Sequence, residues 1–135
     1  MKFVFGQIAR VVPWKGYEIF LRAAALLLED VENVSFVCVG GGDQELVEKY
    51  HALSNDLGLL GRVHWLGERS DVADLLCAID IVTLASTSGE GFPNIIGEAM
   101  SASRAIVATN VGEIAELLGD TGVIIEQAGP DKLAS

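Results

Sequence analysis

Positive charge is scarce in this chain. Across 135 residues, 9 Lys and Arg stand against 19 Asp and Glu, a formal net charge of −10. A general nucleic-acid binder is expected to carry a basic surface, so that class is demoted, and an anionic membrane surface is a poor partner for the same reason. Cysteine is scarcer still. Cys38 and Cys77 lie far apart inside apolar periodic stretches, with neither metal spacing nor a secreted disulfide framework. They are expected as buried, reduced thiols of a cytosolic protein. No apolar run approaches 18 residues, so no membrane-spanning helix is expected, and Arg10 cuts off the apolar opening too early for a signal peptide. There is no Asp-x-Asp metal motif and no Gly-Lys-Ser/Thr phosphate loop. The dinucleotide fingerprint also fails, because Glu45 stands where a Gly-x-Gly-x-x-Gly begun at Gly40 needs its third glycine. His51 and His64 are isolated, and read as a helix-face residue and a strand residue, so no metal site is expected.

What is present is the composition of one globular domain, 50% hydrophobic and 21% charged. Short apolar runs alternate with helical patterns. Strands are predicted at Phe3 to Ala9, Val34 to Val39, Arg62 to Leu66, Ile79 to Leu84, Ala105 to Ala108 and Gly122 to Ile125. Several are apolar on both faces, as central parallel strands covered by helices are. Helices are predicted from Lys15 to Asp30, where Phe20, Ala23, Ala24, Leu27 and Leu28 form one stripe, and from Asp43 to Leu57 behind an acidic cap. Ser70-Asp71-Val72-Ala73-Asp74 opens a third, with Ser70 or Asp71 able to cap it, a fourth runs from Pro93 to Ala102, and a short fifth from Glu113 to Leu118. The pattern predicts an α/β fold: a doubly wound, Rossmann-like parallel sheet of about six strands flanked by helices. Such folds bind ligands beyond the carboxyl ends of their strands, so the loops there are the place to look.

After the first strand, Arg10 and Lys15 are the only cations between Lys2 and Arg22. A guanidinium fork and an ammonium together suit a diphosphate; two solvated loop cations are the alternative. After the second strand, Gly40-Gly41-Gly42 allows close backbone approach to a ligand, though a generic tight turn reads the same way. The richest segment is Ser86-Thr87-Ser88-Gly89-Glu90-Gly91-Phe92-Pro93-Asn94-Ile95-Ile96-Gly97-Glu98-Ala99-Met100. Pro93 suits the first turn of a helix whose free N–H groups attract an anion. Glu98 follows roughly 7–8 Å up that helix. Two carboxylates, Glu90 at the mouth and Glu98 deeper, could accept hydroxyl donors from two parts of one ligand; alternatively Glu98 faces solvent.

These residues resemble the C-terminal, donor-binding domain of retaining GT-B glycosyltransferases of family 4 (glycosyl transferases group 1). The matching stretches are Arg10 to Gly16, Val39 to Gly42, Val63 to Gly67, Ser86 to Asn94, Glu98-Ala99-Met100, Val107 to Thr109 and Val111 to Glu116, in family order across nearly the whole chain. The resemblance implies one half of a GT-B fold: residues 1–135 as a nucleotide-sugar domain trimmed at both ends, without the N-terminal acceptor half. It implies that Arg10 and Lys15 bind the donor diphosphate, with Glu90 beside the sugar and Glu98 on the ribose. Backbone amides of Gly91, Phe92, Asn94 and Ile95, around Pro93, would meet sugar and phosphate. Gly41 and Gly42 would line the donor site, and the loop of Gly67 and Arg69 would frame the base. The implied reaction is retaining, metal-independent transfer from a UDP-, GDP- or ADP-sugar, used as substrate with no separate cofactor. The acceptor would be a hydroxyl of a sugar, lipid-linked sugar or small molecule, bound by the missing half. The enzyme would be cytoplasmic, with any peripheral place at the inner membrane face left to that half, and the isolated domain would be inactive alone. A non-catalytic nucleotide-sugar module and a nucleotide-sugar epimerase of similar architecture are the alternatives. Two positions depart from the family pattern. Ser103 and Ala105 stand where a glycine and a proline are usual, and Glu113 stands where a second glycine is frequent.

Overall fold

The computed structural model describes residues 3–87, 94–109, 118 and 122–125. Six strands form one parallel sheet: β1 (Phe3–Ile8), β2 (Val34–Val39), β3 (Val63–Gly67), β4 (Ile81–Leu84), β5 (Ala105–Thr109) and β6 (Val123–Ile125). Their spatial order is β3-β2-β1-β4-β5-β6, so the chain winds outward from β1 in one direction and then in the other. The doubly wound class read from the sequence is the one observed.

Among the described residues, the helices covering the two faces are α1 (Tyr17–Asp30), α2 (Gln44–Asp56), α3 (Val72–Ala78) and α4 (Asn94–Ser101). Side chains alternate across each strand, and this alternation sorts the core into two clusters. One joins Tyr17, Phe20, Leu21 and Tyr50 of α1 and α2 to Phe36 and Cys38 of β2. The other joins Leu76, Ile96 and Ala99 of α3 and α4 to Val82, Leu84 and Ile106 of β4 and β5. The sheet therefore has apolar residues on both sides, as the strand patterns predict.

The predicted helix from Lys15 begins later. Pro13–Lys15 form a 3-10 turn, Gly16 breaks the run with φ 72°, and α1 starts at Tyr17. Ile79 and Asp80 are not part of β4. Ile79 is the extended C-cap of α3, buried over Gly6. Asp80 gives its N–H to the Val4 carbonyl at 2.9 Å and accepts the Val4 N–H on Oδ2 at 2.8 Å, imitating a strand rung just before the ladder begins. The predicted fifth helix, Glu113 to Leu118, lies largely outside the described residues.

The cysteine expectation holds for one thiol and fails for the other. Cys38 is buried in β2, and desolvation pushes its thiol well above the ordinary range. Cys77 is exposed, because the short α3 buries Leu76 and turns its neighbour outward. Iodoacetamide should therefore label Cys77 in the native protein and Cys38 only after unfolding. Peptide mass spectrometry showing native alkylation of Cys38 would contradict this burial.

Candidate functional site

A cleft of about 490 Å³ opens at the carboxyl ends of β1 to β4, where the winding direction reverses. Arg10 and Lys15 line it from the β1–α1 loop, and Gly41 and Gly42 from the turn after β2. Glu68 and Arg69 enter after β3, and Ile95 and Glu98 face it from α4. Three of the chain's nine cations thus share one cavity.

The two loops bearing Arg10 and the glycines are joined to each other. Val11 forms an isolated parallel bridge with Gly42, and the Val11 N–H donates to the Gly41 carbonyl at 3.0 Å. A Cβ on Gly42 would fall 2.4 Å from the Val11 carbonyl oxygen, so contact between two backbones already requires glycine there. Gly41 is the position with room: its hypothetical Cβ meets Glu68 Cβ at 3.4 Å. The Tyr17 hydroxyl donates to the Ala9 carbonyl at 2.6 Å and fixes the root of the Arg10 arm. Its own pKa is raised, chiefly by burial.

Lys15 is half-buried at the end of the 3-10 turn, while Arg10 is exposed. The Thr87 N–H donates to the Trp14 carbonyl at 2.9 Å, and Gln7 Nε2 donates to the Lys15 carbonyl at 3.1 Å. The loop is therefore tied to β1 through the Gln7 side chain and to the segment after β4 through the Thr87 backbone. At the start of α2, Asp43 accepts from Glu45 N at 2.8 Å and Leu46 N at 3.2 Å. This carboxylate cap makes the α2 end a poor place for an anion and leaves the cations as the attractive feature.

Arg69 is held in a two-point pair by Asp71, with Nε–Oδ1 at 2.9 Å and Nη2–Oδ2 at 2.7 Å. These bonds hold the Asp71 carboxyl below its usual range and raise Arg69. The predicted cap role of Asp71 is corrected here: it occupies the N-cap of α3 but makes no side-chain cap bond, because Arg69 has its carboxylate. Glu98 is exposed yet lines the cleft, so both of its readings from sequence describe part of its position.

Among the predicted site residues, Arg10, Lys15, Gly41, Gly42, Arg69, Ile95 and Glu98 come together. Gly67 sits behind them, its carbonyl accepting the Gly40 N–H at 2.8 Å. Glu90, Gly91, Phe92 and Pro93 lie outside the described residues, and Asn94 is described as the first residue of α4. His51 packs on Trp65 with ring centroids 4.4 Å apart, and His64 is exposed on β3; neither lines the cleft. Sequence reasoning passed over Glu68, whose only signal was its place between Gly67 and Arg69. It also passed over Gln7, an amide in an otherwise apolar strand.

No described helix is long and apolar enough to cross a membrane. The model for the family described as glycosyl transferases group 1 matches residues 2–135. The chain is 33% identical, over 94% of its length, to D-inositol 3-phosphate glycosyltransferase of Corynebacterium diphtheriae, covering 31% of that protein. It is 38% identical, over 77% of its length, to the N,N'-diacetylbacillosaminyl-diphospho-undecaprenol alpha-1,3-N-acetylgalactosaminyltransferase of Campylobacter jejuni, covering 26% of it. The chain thus spans less than a third of either curated relative. Anabaena Alr3699/HepE, solved in complex with UDP and glucose, superposes with a TM-score of 0.91 at 34% identity, over 98% of this chain and 37% of that one. With a matching family model over residues 2–135 and the same doubly wound sheet, the chain belongs to the glycosyl transferases group 1, as one Rossmann-like half of the GT-B fold.

Proposed function

We propose that this domain binds a nucleoside diphosphate sugar in the cleft and presents it for retaining, metal-independent transfer to a hydroxyl acceptor held by a partner half. The observation that carries the reading is the meeting of Arg10 and Lys15 with Gly41 and Glu98 in one cavity of a chain whose net charge is −10. As the glycosidic bond breaks, negative charge grows on the departing diphosphate, and pre-placed cations stabilise it where it develops. Two side-chain cations supply that charge in this reading, in place of a divalent ion. Glu98 accepts the paired ribose hydroxyls, and Glu90 is assigned to the sugar side. UDP is the first nucleotide to test, because the Anabaena relative was solved with it.

Calorimetric titration with UDP, GDP and ADP, each with and without EDTA, tests the reading. One nucleotide should bind with an affinity that EDTA leaves unchanged. Binding by none would overturn the proposal, and binding abolished by EDTA would remove its metal-independent part. When the domain is joined to an acceptor half, the anomeric configuration of the product checks retention.

A further inference from the structure

We infer that Gln7, in the middle of the central strand, is a positioning residue for the phosphate-binding lysine. Gln7 is fully buried, in register with Cys38 of β2 and Thr83 of β4. By strand alternation it shares its face with Phe5, which packs on Phe36. An amide is an expensive choice for such a place. Only half of it is satisfied: Nε2 donates to the Lys15 carbonyl at 3.1 Å, while Oε1 has no hydrogen-bond partner among the described residues. A buried acceptor left unpaired is destabilising, and an apolar side chain of the same shape would avoid that cost. Position 7 therefore works against the stability of the core, and what it provides is a tether to one backbone carbonyl eight residues on.

That carbonyl belongs to the residue whose ammonium lines the cleft. Lys15 ends the 3-10 turn immediately before the left-handed Gly16, so its carbonyl marks the point where the loop changes direction. Holding this oxygen fixes the orientation of the peptide from which the Lys15 side chain departs. The Arg10 arm has its own anchors, Tyr17 on the Ala9 carbonyl and Val11 on Gly41 and Gly42, so Gln7 acts on the lysine arm.

This inference rests on the diphosphate reading of the cleft, and the test separates the two. In the 135-residue chain, Gln7→Met removes the tether at nearly constant volume. It should weaken UDP binding about 5- to 10-fold by calorimetry while leaving the melting temperature unchanged or higher. A residue that merely supported the fold would lower both together. Gln7→Glu cannot donate to the carbonyl when ionised, so it should not restore affinity. In a Lys15→Ala background, Gln7→Met should change affinity less than 2-fold, because the group it positions is gone. Unchanged UDP affinity in Gln7→Met, or effects that multiply in the double variant, would overturn the inference. If Lys15→Ala and Arg10→Ala both leave UDP binding intact, the diphosphate assignment fails first.

Discussion

Lys15→Ala should weaken UDP binding about 100-fold, and Arg10→Ala about 10-fold. A hydrogen bond between a charged donor and a phosphate contributes about 1.5–3 kcal/mol, which corresponds to about 10- to 100-fold in affinity. The ranking follows from solvation. Arg10 is exposed, so water competes for its guanidinium in the free protein and replaces it in the variant. Lys15 is half-buried and held at the end of a tied loop, so its ammonium meets the phosphate with less competition. Lys49→Ala is the matched control, since it removes one positive charge from the exposed face of α2, away from the cleft. Raising salt should weaken wild-type binding more than binding by the double variant, because fewer charges then remain to be screened. Calorimetry that found both single variants equal to wild type would remove the diphosphate assignment.

A second large effect should come from a single methyl group at Gly16. Its φ of 72° is left-handed, and a Cβ there would fall 1.9 Å from the Ala85 carbonyl oxygen and 2.6 Å from its carbon. Ala85 follows β4 at full burial, so this backbone cannot move away without disturbing the sheet. Gly58 provides the comparison. It has a similar φ of 76°, at the turn closing α2, but nothing lies within 4 Å of its hypothetical Cβ. Gly58→Ala therefore carries the left-handed penalty alone, about 1–2 kcal/mol. Gly16→Ala carries that penalty together with a backbone collision, about 4 kcal/mol or more in all. At about 3 °C per kcal/mol for a chain of this size, melting should fall by about 3–6 °C in one variant and by more than about 10 °C in the other. UDP binding should survive the first change and be lost in the second, because Gly16 directly follows Lys15. Equal melting temperatures for the two variants would show that the Gly16–Ala85 contact relaxes freely.

Most of the fold was legible because strand and helix leave different periods in the sequence. Val34–Val39, apolar on both faces, was delimited to the residue. Errors arose where two meanings share one pattern. Ile79 continues an apolar run into β4, yet it closes α3 and covers Gly6. Cys77 fits an apolar stretch, but a helix of seven residues has too little face to bury it. Asp71 looks like a cap, and the sequence does not say that Arg69, two residues earlier, binds its carboxylate.

Within the site, Arg10 and Lys15 could be named because positive charge is conspicuous against an acidic chain, and Glu98 because it follows the Gly91-Phe92-Pro93-Asn94 turn. Gln7 could not, because its meaning depends on a carbonyl that only folding brings near. The glycines following β2 illustrate the same limit. Their spacing suggests an open approach for a ligand, whereas the reason for Gly42 is the backbone of Val11.

The strand order has a temporal consequence. The cleft uses residues from Arg10 to Glu98, contributed by strands on both sides of β1. Closing a segment of about 90 residues costs on the order of 4 kcal/mol in chain entropy, so this convergence belongs late in folding, after local helices have formed. No short fragment contains the site, and a growing chain acquires it only once α4 has emerged. A bound nucleotide would then have little to hold in the folding transition state and much to hold in the native one. It would act as a brake on unfolding, and the donor itself would lengthen the lifetime of the domain that uses it.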